Sequence, residues 1–391
     1  MIDFFQKYIQ IETVYPVPRY EEAIALLIEQ ATQDGFKTKK IKLSSGFPAL
    51  IITYEGRAPA LPSLVLNHHM DVVPAPHTAD WIAPPFAGEI HQNQVIGRGT
   101  QDMKGIGVIH YFALKALKDD GVQPQRTIHL IAVPDEERGG YGGAKLLLET
   151  QEFKELNVGY AIDEGCPSED PSILYIKVDE RKPLQIRITA KGERAHGSKL
   201  SAHNASHELV KVLNHIVTYH SQQQQQLPFT DASSLLSMNI TSLQAGTSKE
   251  GVTTLNVISE CATATVDIRI PSAMQIEDVK QWLHTQMRAF PSVTYQVEAT
   301  VEERITQPTE ETSLYQALAH CIAAQGLTAK PLITEGASDL RFYLKQGIEG
   351  IGFSPFTNGN LLHSINEAVT LPDMLRGKEI ITQLLYCLCI H

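Results

Sequence analysis

The chain has 391 residues, 43% hydrophobic and 20% charged, and its 44 acidic against 33 basic residues leave a formal charge of −11. That length exceeds one ordinary hydrophobic core, so two domains are expected. No apolar run reaches the ~20 residues of a membrane helix, and no basic cluster offers an electrostatic footprint for nucleic acid or an anionic membrane. Cysteines Cys166, Cys261, Cys321, Cys387 and Cys389 are odd in number and unpatterned, as in free thiols of a reducing compartment. The opening MIDFFQKYIQIETVYP lacks a basic stretch followed by an apolar core, so no secretory signal is read there. A cytoplasmic protein is expected.

In chain order, Tyr20–Thr32 carries apolar residues at helical spacing (Ala23, Leu26, Leu27, Ala31), and Ala49–Tyr54 and Leu61–Leu66 read as short buried strands. Asp102–Lys118 predicts a helix with a buried stripe of Ile106, Ile109, Leu114 and Leu117, stopped by Gly121. Arg126–Val133 is a strand that Pro134 ends, just before three acids. Alternating strands and helices point to an α/β layer architecture, with ligands expected at the strands' carboxyl ends. From Pro183 the character changes: strand LQIRITAKG, helix Ser206–Tyr219, strands Leu235–Leu243 and Ser259–Ile270, helix Gln275–Ala289, strand Thr294–Glu302. That βαββαβ order predicts an α+β sandwich on a four-stranded antiparallel sheet. The polar run Gln222–Gln226 reads as a helix end or loop. Leu314–Gln325 returns to the first style, so residues 181–304 are read as an insertion into a domain made of 1–180 and 305–391.

Five segments carry the chemistry: LNHHMDVVP (66–74), GRGTQDMK (97–104), PDEER (134–138), AIDEG (161–165) and LLHSINE (361–367). Oxygen and nitrogen donors without cysteine suit a catalytic metal better than a structural zinc. Read singly, each donor has a plainer explanation. His68, His69 and His77 can be packed or solvated, and Asp102 can cap a helix. Asp135, Glu136 and Glu137 repel one another at a strand end unless cations or a shared proton neutralise them. Adjacent Glu136 and Glu137 suggest that one binds metal while the other takes a proton from a metal-activated water. His69-x-Asp71 suggests a ligand whose ring is oriented by a neighbouring carboxylate.

With these motifs the chain resembles the two-zinc amidohydrolases and exopeptidases, a family that includes aminoacylases, succinyl-diaminopimelate desuccinylases and carboxypeptidase G-type enzymes. GRGTQDMK, RTIHLIAVPDEE, AIDEG and LLHSINEAV, with AHGSK and LNVISE in the insertion, carry the likeness, which is strongest to the aminoacylase branch. The resemblance implies a zinc-exopeptidase-like catalytic domain, a mixed sheet flanked by helices, with an inserted lid and dimerisation domain. It implies one zinc held by His69 and Glu164, a second by Glu137 and His363, and Asp102 bridging both, with Co²⁺ or Mn²⁺ as substitutes. It further implies Asp71 behind His69, Glu136 as general base, and His196 with Asn256 reaching an oxyanion from the lid of a homodimer. Arg269 and Arg341 are candidates for gripping a substrate carboxylate. The implied substrate is a small N-acyl-L-amino acid; a dipeptide, a carboxypeptidase substrate or an N-succinyl amino acid is the alternative. A catalytically silent carboxylate-binding protein is a more distant one. Departures from the family pattern are Ala195 before the lid histidine, Ser259 where proline is usual, and Gly336-Ala337-Ser338-Asp339, which is closer to the desuccinylases. They bear on acyl preference.

Overall fold

A computed structural model describes residues 1–228, 232–246, 248–249, 252–300 and 309–389. The chain folds into two compact units. One comprises Met1–Asp179, the described residues from 309 to Leu332, and those from Ser338 onward. The other runs from Glu180 to 300 and takes in Ile333–Ala337. The expected boundary at 304/305 and the last two residues of the expected strand Thr294–Glu302 lie outside the described residues. The expected segment 305–391 is interrupted at Ile333–Ala337, because Arg181 donates its backbone N–H to the Thr334 carbonyl at 2.9 Å and its guanidinium to Glu335 at 3.2 Å.

The first unit is built on an eight-stranded sheet, whose strand ends Glu180 and Ile333–Thr334 already count with the second unit. Its order is Lys37–Lys42, Pro48–Tyr54, Ile128–Val133, Ser63–His69, Val158–Glu164, Glu349–Phe353, Ile173–Glu180 and Thr328–Thr334. The first two junctions are antiparallel, the next three parallel, and Glu349–Phe353 meets Ile173–Glu180 antiparallel, so the sheet is mixed. The central strands are continuous apolar runs because both faces are covered. Leu64, Leu66, Leu130 and Ala132 pack with helices Lys104–Asp119 and Leu371–Cys389; Val65, Ile131 and Val133 face Leu147 and Phe342 on the other side. The strand predicted to end at Leu66 continues through Asn67, His68 and His69, all buried between two neighbours.

The helix predicted from Asp102 begins at Lys104 with Met103 as its N-cap, and Asp102 caps nothing. It ends at Asp119, two residues before Gly121 at φ 71°.

The second unit is a four-stranded antiparallel sheet in the order Ser237–Ala245, Cys261–Ile270, Lys182–Lys191 and Val293–Thr300. Every second residue of Cys261–Ile270 is buried, as expected of a sheet covered on one face. Helices Ala205–Gln224 and Ile276–Met287 supply the cover through Leu209, Val212, Ile216, Val279 and Leu283. Gln222, Gln223 and Gln224 form the helix's polar end. No helix among the described residues is long and apolar enough to cross a membrane.

Candidate metal centre

Parallel pairing places the first donors. Ile128–Val133, Ser63–His69 and Val158–Glu164 lie side by side in one direction, so their carboxyl ends open at the same edge. His69 ends the middle strand and Glu164 ends one neighbour. After the third strand, Asp135 adopts a left-handed conformation at φ 71°, which Asp tolerates better than most residues. The chain then makes one 3-10 turn, Glu136–Arg138. The Asp71 carboxylate secures this turn by accepting the backbone N–H groups of Glu136 at 3.1 Å and Glu137 at 3.0 Å.

Asp102 faces two imidazoles. Its Oδ1 is 2.9 Å from His69 Nε2 and its Oδ2 is 3.1 Å from His363 Nε2. His69 Nε2 also lies 3.6 Å from Glu164 Oε2, and His363 Nε2 lies 3.2 Å from Glu137 Oε2. Among the described residues this gives two donor triads, His69–Asp102–Glu164 and Asp102–Glu137–His363, each with donor atoms within 4.8 Å of one another. Asp102 belongs to both.

The contact behind His69 differs from the expected one. The nearest acceptor to its Nδ1 is the carbonyl of Asp71 at 2.9 Å, while the Asp71 carboxylate is 3.7 Å away. The protonated ring donates from Nδ1 to this carbonyl and from Nε2 to Asp102, and losing the Nε2 proton frees a lone pair for a cation. The physical reason is local: the carboxylate is already engaged by the amides of the 136–138 turn.

Electrostatics follow from packing acids out of water. Burial, reinforced by the charge of Asp102, pushes Glu164 up to about 8. Burial, then Glu164, raises Glu136 well above the carboxylate range, and burial with Asp102 raises Glu137. Burial also works against ionised Asp102, but hydrogen bonds from His363 and His69 outweigh it and hold its pKa low. Hydrogen bonds to Asp102 and Glu137 lift His363 to about 10, and the same kind of contact lifts His69 against its burial. The cluster therefore calls for positive charge. Among the described residues Glu137 Oε1 is buried without a hydrogen-bond partner, and the donors are imidazole nitrogens and carboxylate oxygens around one shared carboxylate. This set fits a pair of divalent cations.

Other candidates lie elsewhere. His68 is buried with Nε2 3.2 Å from the Tyr8 hydroxyl, and His77 is exposed. Asp163 accepts from the Asn67 amide at 2.9 Å. In the second unit, Ala195–His196 pairs with Val257–Ile258, and Gly197 donates its N–H to the Asn256 carbonyl at 2.7 Å, so exposed His196 and Asn256 are neighbours. Arg269 gives Nε and Nη2 to Asp267, at 2.6 and 3.3 Å. Arg341 is buried and gives Nη1 to the Ser338 carbonyl at 2.6 Å and Nη2 to the Gly139 carbonyl at 2.7 Å. Neither arginine presents the free fork expected of a carboxylate grip.

Residues 65–386 match the sequence profile of peptidase family M20/M25/M40. The chain belongs to this family. It is 33% identical to aminoacylase-1 of Mus musculus over 396 residues, which cover 99% of this chain and 95% of that protein. An M20 family metallo-carboxypeptidase from Sulfolobus solfataricus has the same fold, with a TM-score of 0.77 at 16% identity over 98% of each chain. A dinuclear metal binding peptidase of the family from Bacillus subtilis gives a TM-score of 0.66 at 15% identity, over 98% of this chain and 96% of that one. As an M20 protein the chain is a hydrolase acting on amide bonds, built on the M20 α/β fold.

Two charged residues of the centre escape a reading of the sequence although they stand inside the ligand-bearing motifs. Arg98 of GRGTQDMK and Glu367 of LLHSINE are almost wholly buried and 2.6 Å apart. The one signal is a pair of opposite charges in loops that carry donors, but nothing in a sequence pairs residues 269 positions apart.

Proposed function

We propose that this M20 enzyme hydrolyses N-acyl-L-amino acids to a carboxylate and a free L-amino acid, using two Zn²⁺ per subunit. The observation that carries the metal assignment is the double engagement of Asp102, one carboxylate oxygen toward each histidine. His69, Asp102 and Glu164 would hold one ion, and Asp102, Glu137 and His363 the other; Co²⁺ and Mn²⁺ suit the same donors. Such ions supply Lewis acidity to an amide carbonyl and lower the pKa of water. The likeness to aminoacylase-1 over 99% of the chain supports the N-acyl amino acid as substrate.

In this reading Glu136 accepts a proton as the water oxygen bonds to the carbonyl carbon, and gives it to nitrogen as the C–N bond breaks. The remaining acid proton also ends on the amine, leaving a carboxylate and an ammonium group. Asp71 positions Glu136 through its backbone amide. His196, with Asn256 beside it, stabilises the oxyanion in a homodimer formed through the inserted domain. Arg269 serves the substrate carboxylate only by releasing Asp267, and Arg341 only by releasing two backbone carbonyls. A cytoplasmic location completes the reading, supported by five cysteines with no disulfide among them.

The test is a panel of N-acetyl, N-succinyl and dipeptide amides given to zinc-loaded protein. Preferential release of amino acid from the N-acetyl substrates is expected. A preference for succinyl amides or dipeptides overturns the substrate assignment, and Glu136→Gln with undiminished turnover overturns the base.

A further inference from the structure

Two of the three loops that carry the second donor triad, those of Asp102 and His363, are laced together by buried groups that touch no donor atom. Strand Ala368–Thr370, just past Glu367, pairs with Gln94–Ile96, just before Arg98. Between them the Glu367 carboxylate accepts three backbone N–H groups of the Asp102 loop: Gly99 at 3.2 Å, Gln101 at 2.7 Å and Asp102 itself at 3.1 Å. Arg98 meets that carboxylate through Nη1 at 2.6 Å. Its Nη2 donates to the carbonyl of His363 at 3.1 Å and of Pro74 at 3.4 Å. Its guanidinium lies 5.4 Å from the centre of the Trp81 ring.

One planar guanidinium thus reaches the carboxylate that holds Asp102 and the main chain of His363. Lysine could not reproduce this, because an ammonium is a point donor without the fork. His69 and Glu164 are placed differently, by parallel strands of the central sheet. The His363 side chain, by contrast, is 55% exposed, and its loop depends on such ties for position.

We infer that Arg98 and Glu367 are a positioning pair that sets the distance between His363 and Asp102, and so tunes the affinity of the second cation site more strongly than that of the first, which shares only Asp102 with it. The inference rests on the two-cation reading above. Neither residue touches substrate or ion; both act through the groups they hold.

The experiment is calorimetric titration of the full-length apo protein with Co²⁺, read in parallel by the visible absorption of bound cobalt. Wild-type protein should bind two ions. Arg98→Lys should bind one ion at close to wild-type affinity and the other about 10–100-fold more weakly, with the absorption of one site lost at ion concentrations that saturate the wild type. Glu367→Gln, which keeps shape and one acceptor oxygen, should change the same site in the same direction, and it decides the question if Arg98→Lys does not fold. Two ions at wild-type affinity in the folded variants, or equal weakening of both, would overturn the positioning role alone. Fewer than two ions on the wild type would overturn the two-cation reading and this inference with it.

Discussion

The carboxylate of Asp71 binds the backbone N–H of Glu136, not the imidazole of His69 that its sequence position suggests. With Glu137 on its other oxygen, it fixes the turn that presents both glutamates. Asp71→Asn replaces one acceptor with an N–H that opposes an amide. A fall in kcat of about 10–100-fold is expected, with ion stoichiometry kept. Steady-state kinetics beside metal analysis checks this, and loss of an ion with unchanged kcat in the reloaded protein would contradict it.

If the proposed cation pair is removed, Asp102, Glu136, Glu137 and Glu164 are left crowded in a largely buried space. Each occupied site stabilises the folded state by about 2.7 kcal/mol at an ion concentration a hundredfold above Kd. Chelation should therefore lower the thermal midpoint, and adding Zn²⁺ should restore it. Scanning calorimetry with and without chelator reads the effect; an unchanged midpoint would count against a buried cation pair.

His110 and His129 are buried away from the donor atoms. Burial, partly offset by the Asn67 and Leu156 carbonyls, depresses them to about 3 and about 4. The unfolded chain binds protons near 6.5 while the folded chain does not, so stability rises with pH across this window. It is fully present above about 6.5 and is lost as pH falls toward 3–4, on the order of 3–5 kcal/mol per group at full titration. Urea midpoints should drop from pH 7 to pH 4, and a His110→Gln, His129→Gln double variant should show a shallower slope. An identical slope would exclude these groups as the cause.

Gly352 pairs with Asp163, one residue before Glu164, and an added Cβ would stand 2.1 Å from the Glu164 carbonyl oxygen. Backbone cannot yield as a flexible side chain can. Gly352→Ala should cost about 1–3 kcal/mol and weaken ion binding by displacing the strand end that carries Glu164. Denaturant melts and Co²⁺ titration test both consequences.

Much of this molecule was legible in its residues. Helical periodicity located Tyr20–Gln33, and alternation located the strands of the second unit, because those patterns reflect which face meets a core. The start of helix Lys104–Asp119 was misplaced because Asp102 has the character of a cap, while its carboxylate is drawn to two histidines from distant segments.

The same division holds for the centre. The candidate donors and their order along the chain were named from the motifs and the family resemblance they carry, and hydrophobic patterning limits where the strands that end in His69 and Glu164 stop. Two matters belonged to the tertiary structure alone. They are the use of the Asp71 carbonyl rather than its carboxylate behind His69, and the meeting of Arg98 with Glu367. Each depends on distances of a few ångströms between segments that only parallel strand pairing and loop packing bring together. Those distances are set by the whole core at once, so no local pattern encodes them.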